Sequence, residues 1–311
     1  MSSRRPAVES TLPPDVHGTV MTVGTFDGVH LGHQQILRRL TERAQERGLH
    51  SVLVTFDPHP LEVVRPEAAP PLLTAGAEKL EVLAESQLDY VVQLPFTPTL
   101  ASYDPRQFVE HVLRARYQMR ELLIGHDHGF GRGRGGDVAE LQRLGTELGF
   151  DVAIVPPVVV DGAPISSTAI RRAVAAGDFA AAAGGLGRPY AVGGRVGRGD
   201  QRGRLLGYPT LNVALESPRK LLPPAGVYAV RVQTPAGAFG GMMNLGPRPT
   251  FGDQTTSLEA HLFGDPGDAY GAFVRVEFVR RLRDVQRFDG PDALVAQLGR
   301  DAEAARRALG E

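Results

Sequence analysis

Ten consecutive residues, Gly24-Thr-Phe-Asp-Gly-Val-His-Leu-Gly-His33, constrain what can be built around them. Before them, Val20, Met21 and Val23 form a short apolar run that reads as a buried strand; after them, Ile36, Leu37, Leu40 and Ala44 recur at helical spacing. The decapeptide is therefore a strand-to-helix turn. Gly24, Gly28 and Gly32 leave bare backbone where a ligand can approach, and the helix start offers unpaired N–H groups and the positive end of a dipole. These are the requirements of a phosphate site. His30 and His33 are one helical turn apart, so both imidazoles can reach the same phosphate oxygens if the turn presents them on the ligand side. Taken singly, either histidine is more often a surface residue at a helix start. Their coincidence with the preceding strand and three glycines favours the phosphate site.

The turn opens a βα alternation. Ser51–Phe56 reads as a second buried strand and runs into Asp57-Pro-His-Pro60, where two prolines stop regular structure. A helix over Lys79–Leu88, a strand over Tyr90–Leu94 and a helix beginning at Pro105, with Phe108, Val109, Val112 and Leu113 inward, follow. Glu121–Ile124 is the next strand and delivers Gly125-His-Asp-His-Gly-Phe-Gly131; Val138–Leu148 returns as a helix and Val152–Val155 as a strand. This order predicts a doubly wound parallel sheet whose ligands collect at the carboxyl ends of its strands. Asp57 and His59 sit at such an end, either as ligand contacts or as a capped turn. Gly125–Gly136, with Arg132 and Arg134, is either a solvated loop or a segment that closes over an anion. In Ile165–Arg171, Ser166, Ser167 or Thr168 can cap a helix, and with Arg171 one turn inside they make a second anion site.

After the alanine- and glycine-rich stretch Ala180–Gly187 the pattern changes to short strands, so the domains are expected at 19–186 and 187–311, behind a mobile tail of residues 1–18 that holds Pro6, Pro13 and Pro14. Tyr228, Val230 and Val232 alternate before the turn Pro235-Ala-Gly237; Leu258, Ala260 and Leu262, then Val274, Val276 and Phe278, alternate in later strands. A small antiparallel barrel is the natural closure, covered by a final helix whose stripe is Leu294, Leu298, Ala302, Ala305 and Leu309. The segment Gly194–Asn212, with Gly197, Gly203, Arg204, Gly207 and Pro209, has the composition of a flap over phosphates. Thr210 and Asn212 are alternate residues, so on an extended chain their oxygens face one way and can share a hard cation such as Mg²⁺; each alone is an ordinary turn residue. By the period of two, Glu259 and His261 point away from Leu258, Ala260 and Leu262.

Composition removes other classes of function. With 34 basic and 35 acidic residues in 311, the formal charge of −1 offers no field for nucleic acid. The chain has no cysteine, which excludes disulfides, thiolate zinc sites and cysteine nucleophiles and agrees with a cytoplasmic protein. Neither a signal-peptide core nor a bilayer-length apolar stretch is present, so secretion and membrane insertion are disfavoured. None of these features sets the oligomeric state.

The motifs together resemble a known family. His-x-Gly-His at a first βα turn and Ser-Ser-Thr-x-x-Arg before a helix resemble the two signatures of nucleotidylyltransferases. Gly-Arg-x-x-Gly-Tyr-Pro-Thr-x-Asn at 203–212, Asn244–Phe251, Leu258–Phe263, Tyr270-Gly271 and Leu282-Arg-Asp284 look like the riboflavin kinase module. In this order they resemble the bacterial bifunctional riboflavin kinase and FAD synthetase family over nearly the whole chain beyond the tail. The resemblance implies two ATP- and Mg²⁺-dependent transfers: riboflavin to FMN in the C-terminal barrel, then FMN to FAD and pyrophosphate in the N-terminal domain. It implies that Gly24, Phe26, Asp27, Gly28, His30, Gly32 and His33 bind the ATP phosphates, with Ser166, Ser167, Thr168 and Arg171 on the departing pyrophosphate. Asp57, Asp127 and Phe130 fall at its flavin and nucleotide loops, where His128 stands at a position the family usually gives to an aromatic residue. In the barrel, Gly197, Gly203, Arg204, Gly207 and Pro209 match ATP contacts, Thr210 and Asn212 the Mg²⁺ ligands, Glu259 the base for the ribityl hydroxyl, and Arg283 a flavin contact. Two other readings are a kinase whose first domain only regulates, against which His30, His33 and Arg171 speak, and a flavin or nucleotide sensor without turnover, which gains nothing from Glu259.

Overall fold

The apolar runs of the first half lie buried on both faces, as an all-parallel sheet requires. The computed structural model describes residues 7–9, 11–125, 129–131, 135–160, 162–199, 202–247 and 256–311. The chain divides into two units, Met1–Pro71 with Lys79–Ser166, and Leu72–Glu78 with Ser167–Glu311.

In the first unit, β1 (Ala7–Glu9), β2 (Thr19–Val23), α1 (Leu31–Arg47), β3 (His50–Asp57), α2 (Pro60–Val64), α3 (Ala77–Leu83) and β4 (Tyr90–Pro95) follow in order, the last residues of α3 belonging to it. Then come α4 (Pro98–Ser102), α5 (Pro105–Phe108), which runs on as a π-helical turn over Val109–Arg114, β5 (Met119–Gly125), α6 (Val138–Leu148), β6 (Asp151–Val155) and the small ribbon β7 (Val159–Val160) with β8 (Ala163–Pro164). The six main strands pair in parallel in the order β1-β4-β3-β2-β5-β6. Strand order reverses beside β2, so the crevice for a ligand falls at its carboxyl end, where the decapeptide begins. One apolar cluster joins Val52, Val54, Phe108, Val112, Leu113 and Ile124; another, on the other side of the alternation, joins Val20, Phe26, Val29, Leu37, Leu40 and Leu53. Gly48, at φ 62°, ends α1 in the left-handed conformation.

The expected tail needs correction over its described part. Ala7–Glu9 is an edge strand in register with Tyr90–Val92, and Val16 is fully buried. An edge strand is held through backbone groups, which leave no hydrophobic pattern, so proline content outweighed the pairing in the sequence reading.

Besides Leu72–Glu78, the second unit comprises α7 (Ser167–Ala176), α8 (Phe179–Leu186) and the strands and helices that follow them. Packing thus groups these helices with the barrel, ahead of the composition change at Leu186. The Phe179 ring stacks on Phe278 at 5.4 Å between centroids and meets Tyr228 edge-on. The strands β9 (Ala191–Gly197), β10 (Leu211–Leu215), β11 (Gly226–Thr234), β12 (Gly237–Pro247), β13 (Thr256–Leu262) and β14 (Phe273–Arg283), with the short α9 (Arg202–Leu205) before β10, close as β10-β13-β12-β11-β14-β9. The helix α10 (Pro291–Leu309) lays Leu298, Ala302, Ala305 and Leu309 against Ala229 and Met242. The apolar and polar alternation of β13 matches its burial: Leu258, Ala260 and Leu262 are buried while Glu259 and His261 are not.

Candidate functional site

In the first unit the decapeptide is a strained turn anchored from below. Phe26 and Val29 adopt φ of 47° and 40°, a region that side chains, above all β-branched ones, rarely enter. Each costs about 1–3 kcal/mol and persists because both side chains are pinned in the core, 3% and 1% exposed. Gln34 Nε2 donates to the Val29 carbonyl at 3.0 Å, and Gly24 N–H donates to Val54 O at 3.0 Å, tying the turn to α1 and β3.

This scaffold sets the two histidines. His30 caps α1, its Nδ1 accepting from His33 N–H at 3.3 Å, so its ring proton is placed on Nε2 as a donor. The rings of His30 and His33 stack at 3.7 Å and 17°, and the other face of the pair continues to Phe26, 4.5 Å from His33. A Cβ at Gly32 would press on the His30 ring at 3.1 Å, which is why glycine stands there. Burial, then the neighbouring His30, then Lys79 hold the His33 imidazole well below its ordinary pKa, so it is neutral. Its Nδ1 is buried with no hydrogen-bond partner among the described residues. Two imidazoles, one an Nε2–H donor and the other neutral, at the N-terminus of a helix can receive an anionic oxygen.

The other expected contacts of this unit divide. Asp27 is buried at 3% exposure within the turn, whereas Asp57 is exposed at the end of β3. His59 caps α2 in a capping box with Glu62, the turn reading of that residue. Phe130 packs edge-on against Phe108 in the core at 5.1 Å, so its ring serves packing. Asp127 and His128, with Arg132 and Arg134, lie outside the described residues. Ser166 closes the first unit, while Ser167, Thr168 and Arg171 lie in the first two turns of α7 in the second.

In the barrel, Thr210 and Asn212 line a cavity of about 560 Å³ together with Pro209, Ala260 and the loop Gly264–Tyr270. Asn212 pairs with Glu259 across β10 and β13, and Glu259 pairs in turn with Asn244 across β12, so the three side chains share one face of the sheet. Glu259 thus stands in register with Asn212, on the face predicted from the alternation. A Cβ at Gly199 would overlap the Asn212 carboxamide, so the backbone there closes on Asn212 as only glycine allows. Gly197 faces Asn212 in the ladder to β9, Gly203 lies against the Tyr208 carbonyl, and Gly207 turns the chain at φ 81°. The side chain of Arg204 lies outside the described part, as do residues 248–251. Arg283 is not free: it forms a two-toothed pair with the buried Asp301 of α10 at 2.6–3.0 Å.

The donors Thr210 and Asn212 are hard, neutral oxygens, and no group of three or more His, Cys, Asp or Glu among the described residues could hold a metal. That set suits Mg²⁺ carried in on substrate phosphates and finished by one or two protein oxygens. Sequence reasoning missed two supports. His261 donates from Nδ1 to the Pro209 carbonyl at 2.8 Å and meets Tyr208 edge-on, fixing the segment that leads to Thr210. Asp265 and Asp268 cap their own turns in the loop bordering the cavity, donors Gly267 and Tyr270 N–H lying 2.9 and 3.1 Å away. Their signal was present in the alternation with Glu259 and in the Asp-x-Gly turn, but neither spacing alone names a target.

Residues 12–169 match the family model for FAD synthetase, and residues 186–309 that for riboflavin kinase. Among curated relatives, the bifunctional riboflavin kinase/FMN adenylyltransferase of Escherichia coli K12 is 40% identical over 94% of this chain and 93% of its own. Its namesake in Pseudomonas fluorescens is 41% identical over 95% and 94%, and that of Bacillus subtilis 33% over 93% and 92%. A solved structure from Streptococcus pneumoniae, described as a macrolide-efflux protein, shares the fold at a TM-score of 0.81, 31% identity and 95% coverage of both chains. No helix among the described residues of the present chain is long and apolar enough to cross a membrane.

Proposed function

The chain belongs to the family of bifunctional riboflavin kinase/FMN adenylyltransferases, and from that premise we propose which of its residues carry each transfer. It phosphorylates riboflavin in the barrel and adenylylates FMN in the parallel-sheet domain. The observation that carries the residue assignment is the register of the barrel, which puts Glu259 beside Asn212 on one face.

In the barrel, Glu259 takes the proton of the ribityl 5′-hydroxyl as that oxygen attacks the γ-phosphorus of ATP, and ADP leaves. Thr210 and Asn212 would hold Mg²⁺, whose role is to offset charge on the phosphate oxygens. Gly199, Gly203 and Gly207 let backbone close on the nucleotide, and His261 holds Pro209 so that Thr210 is presented in one position. Arg283, tied to Asp301, orders the flavin end through α10 rather than as a free cation.

In the sheet domain a phosphate oxygen of FMN attacks the α-phosphorus of ATP in line, and pyrophosphate leaves. His30 donates from Nε2 and the neutral His33 lies against it, so the pair stabilises charge developing on the α-phosphate without itself carrying two positive charges. Ser166, Ser167, Thr168 and Arg171 take the departing pyrophosphate. A cytoplasmic setting, where ATP is supplied, is part of the same proposal.

Replacing Glu259 by Gln tests the assignment. A general base contributes about 10²–10⁴ in rate, so this variant is expected to lose riboflavin phosphorylation by at least ~100-fold, with riboflavin affinity within a few-fold and FMN adenylylation at the parent rate. Phosphorylation near the parent rate would remove Glu259 from the mechanism.

A further inference from the structure

Beneath the phosphate turn lies a lysine that none of the motifs contains. Lys79, on α3, donates from Nζ to Thr55 Oγ1 at 2.6 Å, and Thr55, fully buried at the end of β3, donates from the same hydroxyl to the Thr25 carbonyl at 3.1 Å. A chain of two hydrogen bonds therefore runs from the ammonium to the backbone of the decapeptide. The charged groups that face it are the buried Asp27 of the turn, Asp57 of β3 and the stacked His33 of α1. Asp27 poses a problem to the site: a carboxylate at 3% exposure inside a loop that receives a triphosphate repels its own ligand. An ammonium in reach of that carboxylate offsets the repulsion.

We propose that Lys79 is a positioning residue of the adenylyl-transfer site, fixing the Gly24–Gly28 loop through Thr55 and offsetting the Asp27 carboxylate so that the loop accepts the anionic triphosphate of ATP. The proposal rests on the reading of the His30 and His33 turn as that site. Desolvation lowers the Lys79 pKa to about 8, against the opposing pull of Asp27 and then Asp57. The ammonium therefore dominates below pH 8 and is lost above it, and a lysine so placed is sensitive to pH where an exposed one is not.

The test is steady-state FMN adenylylation by the full chain against ATP concentration, from pH 6.5 to 9.5, in the parent, Lys79→Met, Lys79→Arg and His33→Ala. Far-UV circular dichroism and thermal unfolding of the same samples report that the parallel-sheet unit is folded, and riboflavin phosphorylation that the barrel is. Lys79→Met is expected to raise KM for ATP and to lower kcat/KM for FAD formation by about 10–100-fold at pH 7, the size of one charge-assisted contact. The parent is expected to lose kcat/KM as pH rises through about 8, while Lys79→Arg, whose guanidinium stays charged, keeps its own level across that range. Parent-like kcat/KM in Lys79→Met, or an alkaline limb near 8 that persists in Lys79→Arg, overturns the proposal. If Lys79→Met does not fold, the limb in the parent and its absence in Lys79→Arg decide alone. Full FAD formation by His33→Ala would instead overturn the reading of the turn, a result separable from failure at Lys79.

Discussion

Glu78 and Lys220 form the most deeply buried ion pair among the described residues, with side chains 8% and 2% exposed and Nζ 2.6 Å from Oε2. Lys220 Nζ donates as well to the carbonyls of Leu73 and Ala191 at 2.6 and 2.7 Å and sits 4.7 Å above the Tyr190 ring. Glu78 accepts from Ala75 N–H at 3.2 Å and from Gly193 N–H, so the pair fastens Leu72–Glu78 to β9 of the barrel unit. Glu78→Gln keeps the shape and removes the anion. The buried ammonium then loses the Glu78 carboxylate, and breaking one side of such a pair costs about 3–5 kcal/mol. For a unit of about 150 residues that corresponds to a fall in Tm of about 6–20 °C. Lys220→Met should cost a similar amount. Glu78→Leu combined with Lys220→Met should cost less than the sum of the single changes, since no charge is left unpaired, though the Gly193 and Ala75 N–H groups then lack their acceptor. The assay is thermal and urea unfolding of the full chain by circular dichroism, with heat inactivation of riboflavin phosphorylation marking the barrel's own transition. A Glu78→Gln protein within about 1 kcal/mol of the parent would refute the reasoning, because it would mean that the ammonium finds water or another anion.

Three further outcomes follow from the same structure. His30→Ala and His33→Ala are each expected to lower FAD formation by about 10²–10³ while riboflavin phosphorylation stays near the parent rate, so that FMN accumulates in a chromatographic assay; loss of both activities in folded protein would contradict separate sites. The His33 pKa lies well below 6.5 in the folded chain, so the stability tied to its neutral form is full above the unfolded value and declines as pH falls below about 6.5. Urea unfolding at pH 7 and pH 5 should therefore show a smaller acid loss in His33→Gln, and an unchanged loss would exclude His33 as a source. A fragment beginning at Ser167, which like one beginning at Gly187 lacks Leu72–Glu78 and its ion pair to Lys220, should melt higher than the latter, which also lacks Phe179 over Phe278 and Tyr228, a ring whose burial contributes about 1.5–3 kcal/mol; equal melting temperatures would favour the boundary at Leu186.

What the sequence determined by itself about this protein is what repeats locally. Strand and helix periods, the glycines of the first turn and the alternation of Leu258–Leu262 each carry their own signature, so the parallel sheet, the barrel, the strand-to-helix turn that carries His30 and His33 and the face of Glu259 were legible in the sequence, whereas the stacking of the two rings was not. The tertiary structure alone decided what depends on a partner far along the chain. The edge strand Ala7–Glu9 is held by backbone bonds to β4, the Phe130 ring is taken up by Phe108, and Arg283 is claimed by Asp301. Lys79 and Glu78 are neighbours on one short helix, and no motif in the sequence singles out either. Folding sends the first beneath the phosphate turn and the second to Lys220, because burial is a property of where chain segments meet, and no local period records it.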